Sequence, residues 1–508
     1  MTHYPVSLVL IVYNTGKLIE NCLESLRGQM FQDFELIVIN NDSDNETTQL
    51  LLQGLKWFGD RVQLIENSEN VGGAVAGNQG IQSAQGDYVF LMDADDELPF
   101  GALKALYAKA KGAGCDIVIG RGNSIIGRQV CPNKFMYDWM AWAQEKEITS
   151  ITQAPELLMA PFYWGKLYRR EFLLQHKIFM KPGRLNADRY FNSKALLFSK
   201  KTVVIMDESY RWRRHNAPQV GSVTQKMRTI EHFLDRLQST YEVDELYRMN
   251  VPESTYFYVR LAGLLRLLLP IDEVKNKEEF RKEYFAAMHQ YLQDMPLEAI
   301  EACRFLPSKK KLLLYLLKQA RFDDVCRILQ NEIPSKRREE AGVYLYEYQG
   351  LENLPAGVCT QPLHKLTSCV CRKQISNPVK YCFTAEPKYI VEDFLLLHIW
   401  ITDRFGQEIE EVPFHYSQKE QSITITLQKA GLDNLQLEQP YFFTLEYWMN
   451  GIVTRSPCNR NTQNKIFVFT VKTGGLPWKR ERKLSIVNQT FRLRKRQGDE
   501  PLLISEQT

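Results

Sequence analysis

The sequence predicts an N-terminal α/β domain on a mostly parallel sheet, then a helical stretch, then a C-terminal all-β module. Three observations carry this. Near the start, short apolar runs alternate with stretches whose apolar residues fall at helical spacing. Polar clusters follow three successive runs. Beyond Pro355-Ala356-Gly357 the helical spacing gives way to β-branched and aromatic segments separated by turn residues.

Val6 to Tyr13 reads as the first strand, with Asn14-Thr15 as turn and helix cap. Leu18, Ile19, Cys22, Leu23 and Leu26 then recur at helical spacing. Phe34 to Ile39 is a second strand, ending in Asn40-Asn41-Asp42-Ser43-Asp44, and a helix with Leu50, Leu51 and Leu55 follows. Val62 to Ile65 is a third strand, ending at Glu66-Asn67. Small residues from Asn70 to Gly80 open the next helix. Such β-α alternation makes a parallel sheet with helices on its faces, and the polar clusters line one rim.

The fourth strand runs straight into acid, as Tyr88-Val89-Phe90-Leu91-Met92-Asp93-Ala94-Asp95-Asp96. Pro99 and Gly101 break it, so the carboxylates stand at the strand's carboxyl end, where open α/β sheets bind ligands. Carboxylates this close repel unless a cation lies between them, and a divalent metal gripping a phosphorylated substrate supplies one. Read alone, the motif is equally an acidic turn capping the next helix.

The length of 508 residues suggests two to four domains, and a net charge of +4 excludes a nucleic-acid polycation. Ten cysteines are scattered without a C-x-x-C pair, and Cys369 and Cys371 are poorly spaced for a shared zinc. They read as free thiols in a reducing compartment. No signal peptide opens the chain, and the Leu-rich run from Leu261 to Leu269 is broken by Gly263 and Arg266. A cytoplasmic protein is expected.

Residues 226–350 read as helical, with Ile230, Phe233, Leu234, Leu237, Tyr241 and Leu246 at helical spacing, a brace joining two domains. Asp323-Asp324 and Glu339-Glu340 read as solvated helix charges. Residues 356–476 read as a small Ig-like β-sandwich, with strands at Tyr381–Thr384, Phe394–Ile401, Ser422–Leu427, Tyr441–Trp448 and Lys465–Val471. It serves either as a sugar-binding or homo-oligomerisation module or as a structural appendage. The tail, 477–508, concentrates basic residues, with eight Lys or Arg and one Glu from Trp478 to Arg496 among apolar anchors. It suits an anionic membrane surface, and equally a plain solvated tail; nucleic acid is disfavoured because no reader fold is present.

The Tyr13-Asn14 strand end, the Asn40–Asp44 cluster, the Asn70–Gly80 segment, Gly86-Asp87-Tyr88 and Asp93-Ala94-Asp95-Asp96 come in an order that resembles family 2 glycosyltransferases of the GT-A fold. Trp164-Gly165-Lys166-Leu167-Tyr168-Arg169-Arg170, Asn186-Ala187-Asp188-Arg189-Tyr190-Phe191, and Tyr210-Arg211-Trp212 through Ser222-Val223-Thr224 extend the likeness, which spans about residues 5–225. It identifies residues 1–225 as a GT-A catalytic domain. It implies a nucleotide-diphosphate-sugar donor, transfer with inversion, and Mn2+ or Mg2+. By position, Tyr13, Asn41, Asp42, Asn70 and Asn78 would hold the nucleotide sugar. So would Asp93, Ala94, Arg211, His215 and Ser222, with Arg213 beside them. Asp95 would hold metal, and Asp188 would be the general base. Three departures stand out: Asn40-Asn41 where the family often has paired aspartates, Gly77 where a basic residue is common, and Ala187 where glutamate often precedes the base. His215 in Arg213-Arg214-His215-Asn216 faces either diphosphate or solvent, and Trp164, Trp139 and Trp142 serve either an acceptor sugar or the core.

The layout is similar to wall teichoic acid glycosyltransferases. The expected function is therefore a metal-dependent inverting transferase, moving sugar from a UDP-sugar to a hydroxyl of a bacterial surface polymer. Its acceptor would be a polysaccharide or polyol phosphate: teichoic acid, capsule or lipopolysaccharide. The expected location is the cytoplasm, or the inner face of the plasma membrane. The alternative is a non-catalytic polysaccharide-binding protein that keeps a degenerate transferase fold.

Overall fold

The computed structural model describes residues 3–127, 129–132, 141, 145–214, 229–267, 271–301, 306–340 and 343–362, and from there a series of segments between 369 and 505. The chain divides into two compact units, Met1–Met295 with Leu317–Gln330, and Pro296–Leu316 with Asn331–Thr508.

The first unit is built on a nine-stranded sheet. Strand β1 (Val6–Val12) lies at its heart, and all seven residues are buried. Such a strand carries apolar side chains on both faces, as a sheet covered by helices on both sides requires. Helix α1 (Leu18–Arg27) buries Ile19, Cys22, Leu23 and Leu26, one stripe at i, i+3, i+4 and i+7. β2 (Phe34–Asn41) pairs parallel with β1. α2 (Asn45–Leu55) starts at Asp44, whose carboxylate accepts from the Thr47 N–H at 2.7 Å. β3 (Val62–Asn67) pairs parallel with β2, α3 (Gly73–Ser83) follows, and β4 (Tyr88–Asp93) returns to the other side of β1. The strand order so far, β3-β2-β1-β4, is half of a doubly wound sheet.

The other half departs from simple alternation. After α4 (Ala102–Ala113) the chain forms β5 (Ile117–Ile126), which does not pair with β4. β6 (Gln129–Pro132) pairs with β5, and β7 (Lys146–Ile148) lies at the far edge. β8 (Lys166–Arg169) then inserts antiparallel between β4 and β5. α5 (Arg170–Gln175) and α6 (Ala187–Phe198) follow, and β9 (Thr202–Arg214) pairs parallel with β5. The result is a large, mostly parallel α/β sheet of the GT-A type. Gly165 allows the entry into β8: its φ is +70°, and a Cβ there would meet Ser209 Oγ at 3.2 Å and Tyr210 Cβ at 3.3 Å.

The unit continues as helices, α7 (Ile230–Arg248), α8 (Glu253–Leu267), α9 (Ile271–Asn276) and α10 (Glu278–Gln293), and ends in a helix over Phe322–Leu329. Among the described residues no helix is long and apolar enough to cross a membrane. Cys22, Cys115 and Cys359 are free thiols.

In the second unit the helical expectation for 226–350 needs correction. Residues Ser335–Glu340 and Val343–Tyr348 form an antiparallel hairpin, so Glu339 and Glu340 lie on a strand rather than a helix. The run Val343-Tyr344-Leu345-Tyr346-Glu347-Tyr348 is rich in β-formers, and its alternation outweighs the helical spacing upstream. Further on, a four-stranded and a six-stranded sheet carry a strand at each of the five expected places, with Phe394 and residues 465–467 outside the described residues. Strand Tyr441–Met449 buries Tyr441, Phe443, Leu445 and Tyr447, every second residue, as a one-faced antiparallel strand must. Parts of the 477–508 tail are also strand: Glu481–Ile486 extends the larger sheet, and Phe491–Lys495 pairs with Pro501–Ser505.

Candidate active site

The three carboxylates at the end of β4 have different fates. Asp96 is 1% exposed and fully engaged. Its Oδ1 accepts from the Arg213 backbone N–H at 2.7 Å and its Oδ2 from the Tyr210 hydroxyl at 2.6 Å. Burial, then the charges of Asp95 and Asp93, push its pKa well up, and the two hydrogen bonds oppose the shift. Asp96 therefore ties the acidic turn to β9. The Glu97 and Arg211 backbones exchange hydrogen bonds across the same junction, at 2.9 and 3.1 Å.

Asp93 and Asp95 remain at the rim. The Tyr163 hydroxyl donates to Asp93 Oδ1 at 2.5 Å. Burial and the Asp95 charge push the Asp93 carboxyl up to about 7. The Tyr163 hydrogen bond pulls it down, and the charge of Asp188 adds to the rise. Burial raises the Tyr163 and Tyr168 phenols, and the Asp188 charge adds to both shifts. The fold thus brings Asp188, in the first turn of α6, into electrostatic reach of the β4 acids.

No group of three or more His, Cys, Asp or Glu side chains suited to a metal ion occurs among the described residues. Asp93 and Asp95 alone nevertheless fit a hard divalent cation of the kind held by one or two carboxylates plus substrate phosphates. Burial is the larger part of the upward push on Asp93, and the Asp95 charge adds a part that such a cation would relieve.

Beside the acids, the ends of β2 and β3 carry an amide network. Asn41 Nδ2 donates to Asn70 Oδ1 at 2.8 Å, and Asn41 Oδ1 accepts from Asn67 Nδ2 at 3.0 Å and from the Val71 N–H at 3.1 Å. Asn67 also exchanges hydrogen bonds with Gln79. Tyr13, just past the end of β1, is 47% exposed, and Asp42, just past the end of β2, takes a φ of +60°. Ala94 is buried against β1, its N–H donating to the Ile11 carbonyl at 3.0 Å.

Two of the expected donor-binding residues are occupied otherwise. Asn78 donates to the Met180 carbonyl at 2.8 Å and accepts from the Met180 N–H at 2.9 Å, so its amide pins the chain ahead of α6. Arg211 makes a bidentate pair with Glu208 at 3.0 and 2.8 Å. Arg213 lies over the acidic turn: its Nε donates to the Asp95 carbonyl at 3.0 Å and its guanidinium pairs with Glu97. Trp164 is core, stacked between Phe162 and Tyr210 at 4.4 and 4.7 Å. His215, Ser222, Trp139 and Trp142 lie outside the described residues.

Sequence reasoning missed Tyr163 and Asn67. Tyr163 immediately precedes Trp164-Gly165-Lys166, but nothing local shows that its hydroxyl reaches Asp93, seventy positions back. The buried Lys166 ammonium donates to the carbonyls of Ala160 and Phe162, which fixes the loop holding Tyr163.

Residues 7–173 match the model of glycosyl transferase family 2. Glycosyltransferase GlyA of Streptococcus pneumoniae is 26% identical over 223 residues, 41% of this chain and 30% of that protein. The poly(ribitol-phosphate) beta-glucosyltransferase of Bacillus spizizenii is 30% identical over 321 residues, 61% of this chain and 48% of that protein. The chain therefore spans less than half the length of these two relatives. Among solved structures, S. aureus TarS is similar in fold, with a TM-score of 0.53 at 16% identity over 96% of this chain and 87% of TarS. Its 1–349 fragment, also solved with UDP-GlcNAc, aligns with a TM-score of 0.53 over 68% of this chain and 97% of that one. The sheet, the order of the rim residues and the family model agree in one likeness, that of residues 7–173 to glycosyl transferase family 2.

Proposed function

We propose that the protein is an inverting glycosyltransferase that moves a sugar from a UDP-sugar to a hydroxyl of a bacterial surface polymer, with a polyol-phosphate chain of the teichoic-acid type as first choice. One observation carries the enzymatic reading. Asp188, about a hundred residues from Asp93, is folded into its electrostatic reach. A degenerate, non-catalytic binding protein has no need of that juxtaposition. The relatives that act on poly(ribitol phosphate) and the UDP-GlcNAc complex of TarS support the acceptor and donor classes.

In this reading Tyr13 offers its ring to the base, and the Asn41–Asn67–Asn70 network shapes the rim that takes the nucleoside. Asp93 accepts from the ribose, and Asp95 with Asp93 holds Mn2+ or Mg2+. When bound, that ion neutralises charge on the leaving diphosphate. Asp188 accepts the acceptor's hydroxyl proton as its oxygen bonds to the anomeric carbon and the bond to diphosphate breaks on the opposite face. The two larger C-terminal sheets pack as an Ig-like sandwich that supports polymer binding.

A thermal-shift screen of UDP-, GDP- and dTDP-sugars with Mn2+ tests the donor assignment. The UDP-sugar used is expected to stabilise the chain by about 2.7 kcal/mol at 100 times its dissociation constant. Released UDP on addition of poly(ribitol phosphate) then tests transfer. A folded chain that responds to no nucleotide sugar, with or without metal, sinks the proposal.

A further inference from the structure

The segment that presents Asp188 is held along its length by helix α7. Asp235 Oδ2 accepts from the Leu185 N–H at 3.0 Å, and its carboxylate lies 3.6 Å from the Arg184 guanidinium. Glu242 accepts from Arg184 at 3.0 Å and faces Lys181 Nζ at 3.3 Å. Between these two acids, Ser239 Oγ donates to the Asn186 carbonyl at 3.3 Å. Positions 235, 239 and 242 follow the i, i+4, i+7 spacing of one helix face. Beside that face, Thr240 Oγ1 accepts from Arg189 Nη1, and the Tyr247 hydroxyl donates to the Ser193 carbonyl at 2.7 Å.

Asp188 and Arg189 are successive residues in the first turn of α6, so their side chains leave the helix about 100° apart. Arg189 runs into the helices. It is 5% exposed, and a Cβ on Gly263 of α8 would stand 2.9 Å from it and 2.6 Å from the Thr240 methyl. Burial draws the Arg189 pKa down, while Tyr291 and Asp244 support its charge. The Asp188 charge acts on Asp93, Tyr163 and Tyr168, and it also supports the charge of Arg189. The rotation of the α6 start, which decides where Asp188 points, is thus set by where Arg189 is anchored.

We infer that α7 is a positioning element of the transferase, in which Thr240 and Glu242 act through Asp188 by fixing the 181–189 segment. The inference rests on Asp188 being the base. A plain brace between domains would contribute stability and leave chemistry alone. The two accounts separate in a double-mutant cycle, because a residue that acts only through Asp188 has nothing left to act on once Asp188 is disabled.

Glu242→Gln and Thr240→Val are made in the full chain, in the parent and in the Asp188→Asn background. Turnover is measured with the UDP-sugar that stabilises the chain most and a poly(ribitol phosphate) acceptor, alongside donor affinity and Tm. In the parent, each change is expected to lower kcat by about 10- to 100-fold, the scale of an ångström-sized misplacement, at unchanged donor affinity. In Asp188→Asn the same changes are expected to cost less than about twofold. Equal losses in both backgrounds, losses that follow a falling Tm, or parental turnover in a folded Glu242→Gln chain each overturn the inference. Near-normal turnover of Asp188→Asn itself instead removes the base assignment, and this inference with it.

Discussion

Asp188→Asn lowers turnover by about 10²–10⁴-fold and leaves donor affinity near that of the parent, the expected signature of a lost general base. A sugar or polyol hydroxyl does not ionise unaided at neutral pH. A carboxylate in hydrogen-bond reach lowers the barrier by taking the proton as the glycosidic bond forms. Asparagine keeps the size and most of the hydrogen bonding but has no basic oxygen to receive that proton. The competing role for Asp188 is local. It lies in the first turn of α6, where an acid favours the helix dipole, and the Arg189 N–H contacts its Oδ1 at 2.8 Å. That role is worth about 1 kcal/mol of stability and nothing in kcat. Turnover and donor affinity measured on the same preparation decide between them: near-normal turnover at normal affinity rules the base role out.

Asp95→Ala is expected to cost several kcal/mol of transition-state stabilisation, a loss of about 10³-fold or more in kcat/KM. It should also abolish the extra thermal stabilisation that Mn2+ adds to UDP, while the Tm of the apo chain changes little. The contrast with Asp96, one residue on, makes the test sharp. Asp96 is buried between Tyr210 and the Arg213 N–H, so its removal strands two buried donors and costs stability first. Asp95 stands at the rim and is only half-buried. Full-rate transfer by the parent chain in excess chelator, or an unchanged Mn2+ effect in Asp95→Ala, refutes the metal role.

Much of the first half was legible because its signals are local. Continuous apolar runs made β1, β2 and β4, and a 3.6-residue stripe made α1. The rim residues followed from strand ends alone. What escaped was whatever depends on partners distant in sequence. The insertion of β8 between β4 and β5 has no local signature, since antiparallel and parallel buried strands read alike. The same holds for Tyr163, for Asn78 clasping Met180, and for the division of three neighbouring aspartates into one structural and two rim acids. The expectation of helix up to residue 350 failed for a different reason. A short amphipathic stretch such as 335–348 is decided by its pairing rather than by its own periodicity.

The insertion of β8 has a consequence for how the chain is made. β4, with its buried Val89, Phe90, Leu91 and Met92, finds its second neighbour only when Lys166–Arg169 has emerged. At about 5–20 residues per second, the roughly seventy intervening residues take on the order of 4–15 s on the ribosome. Throughout that interval a nascent β3-β2-β1-β4 half-sheet shows an open, apolar edge, the kind of template on which chains aggregate. Chains stalled with Cys115 just outside the exit tunnel should therefore be captured by holdase chaperones far more than chains stalled with Phe198 outside it. Equal capture at the two stall points would mean that the edge is shielded earlier by another part of the chain.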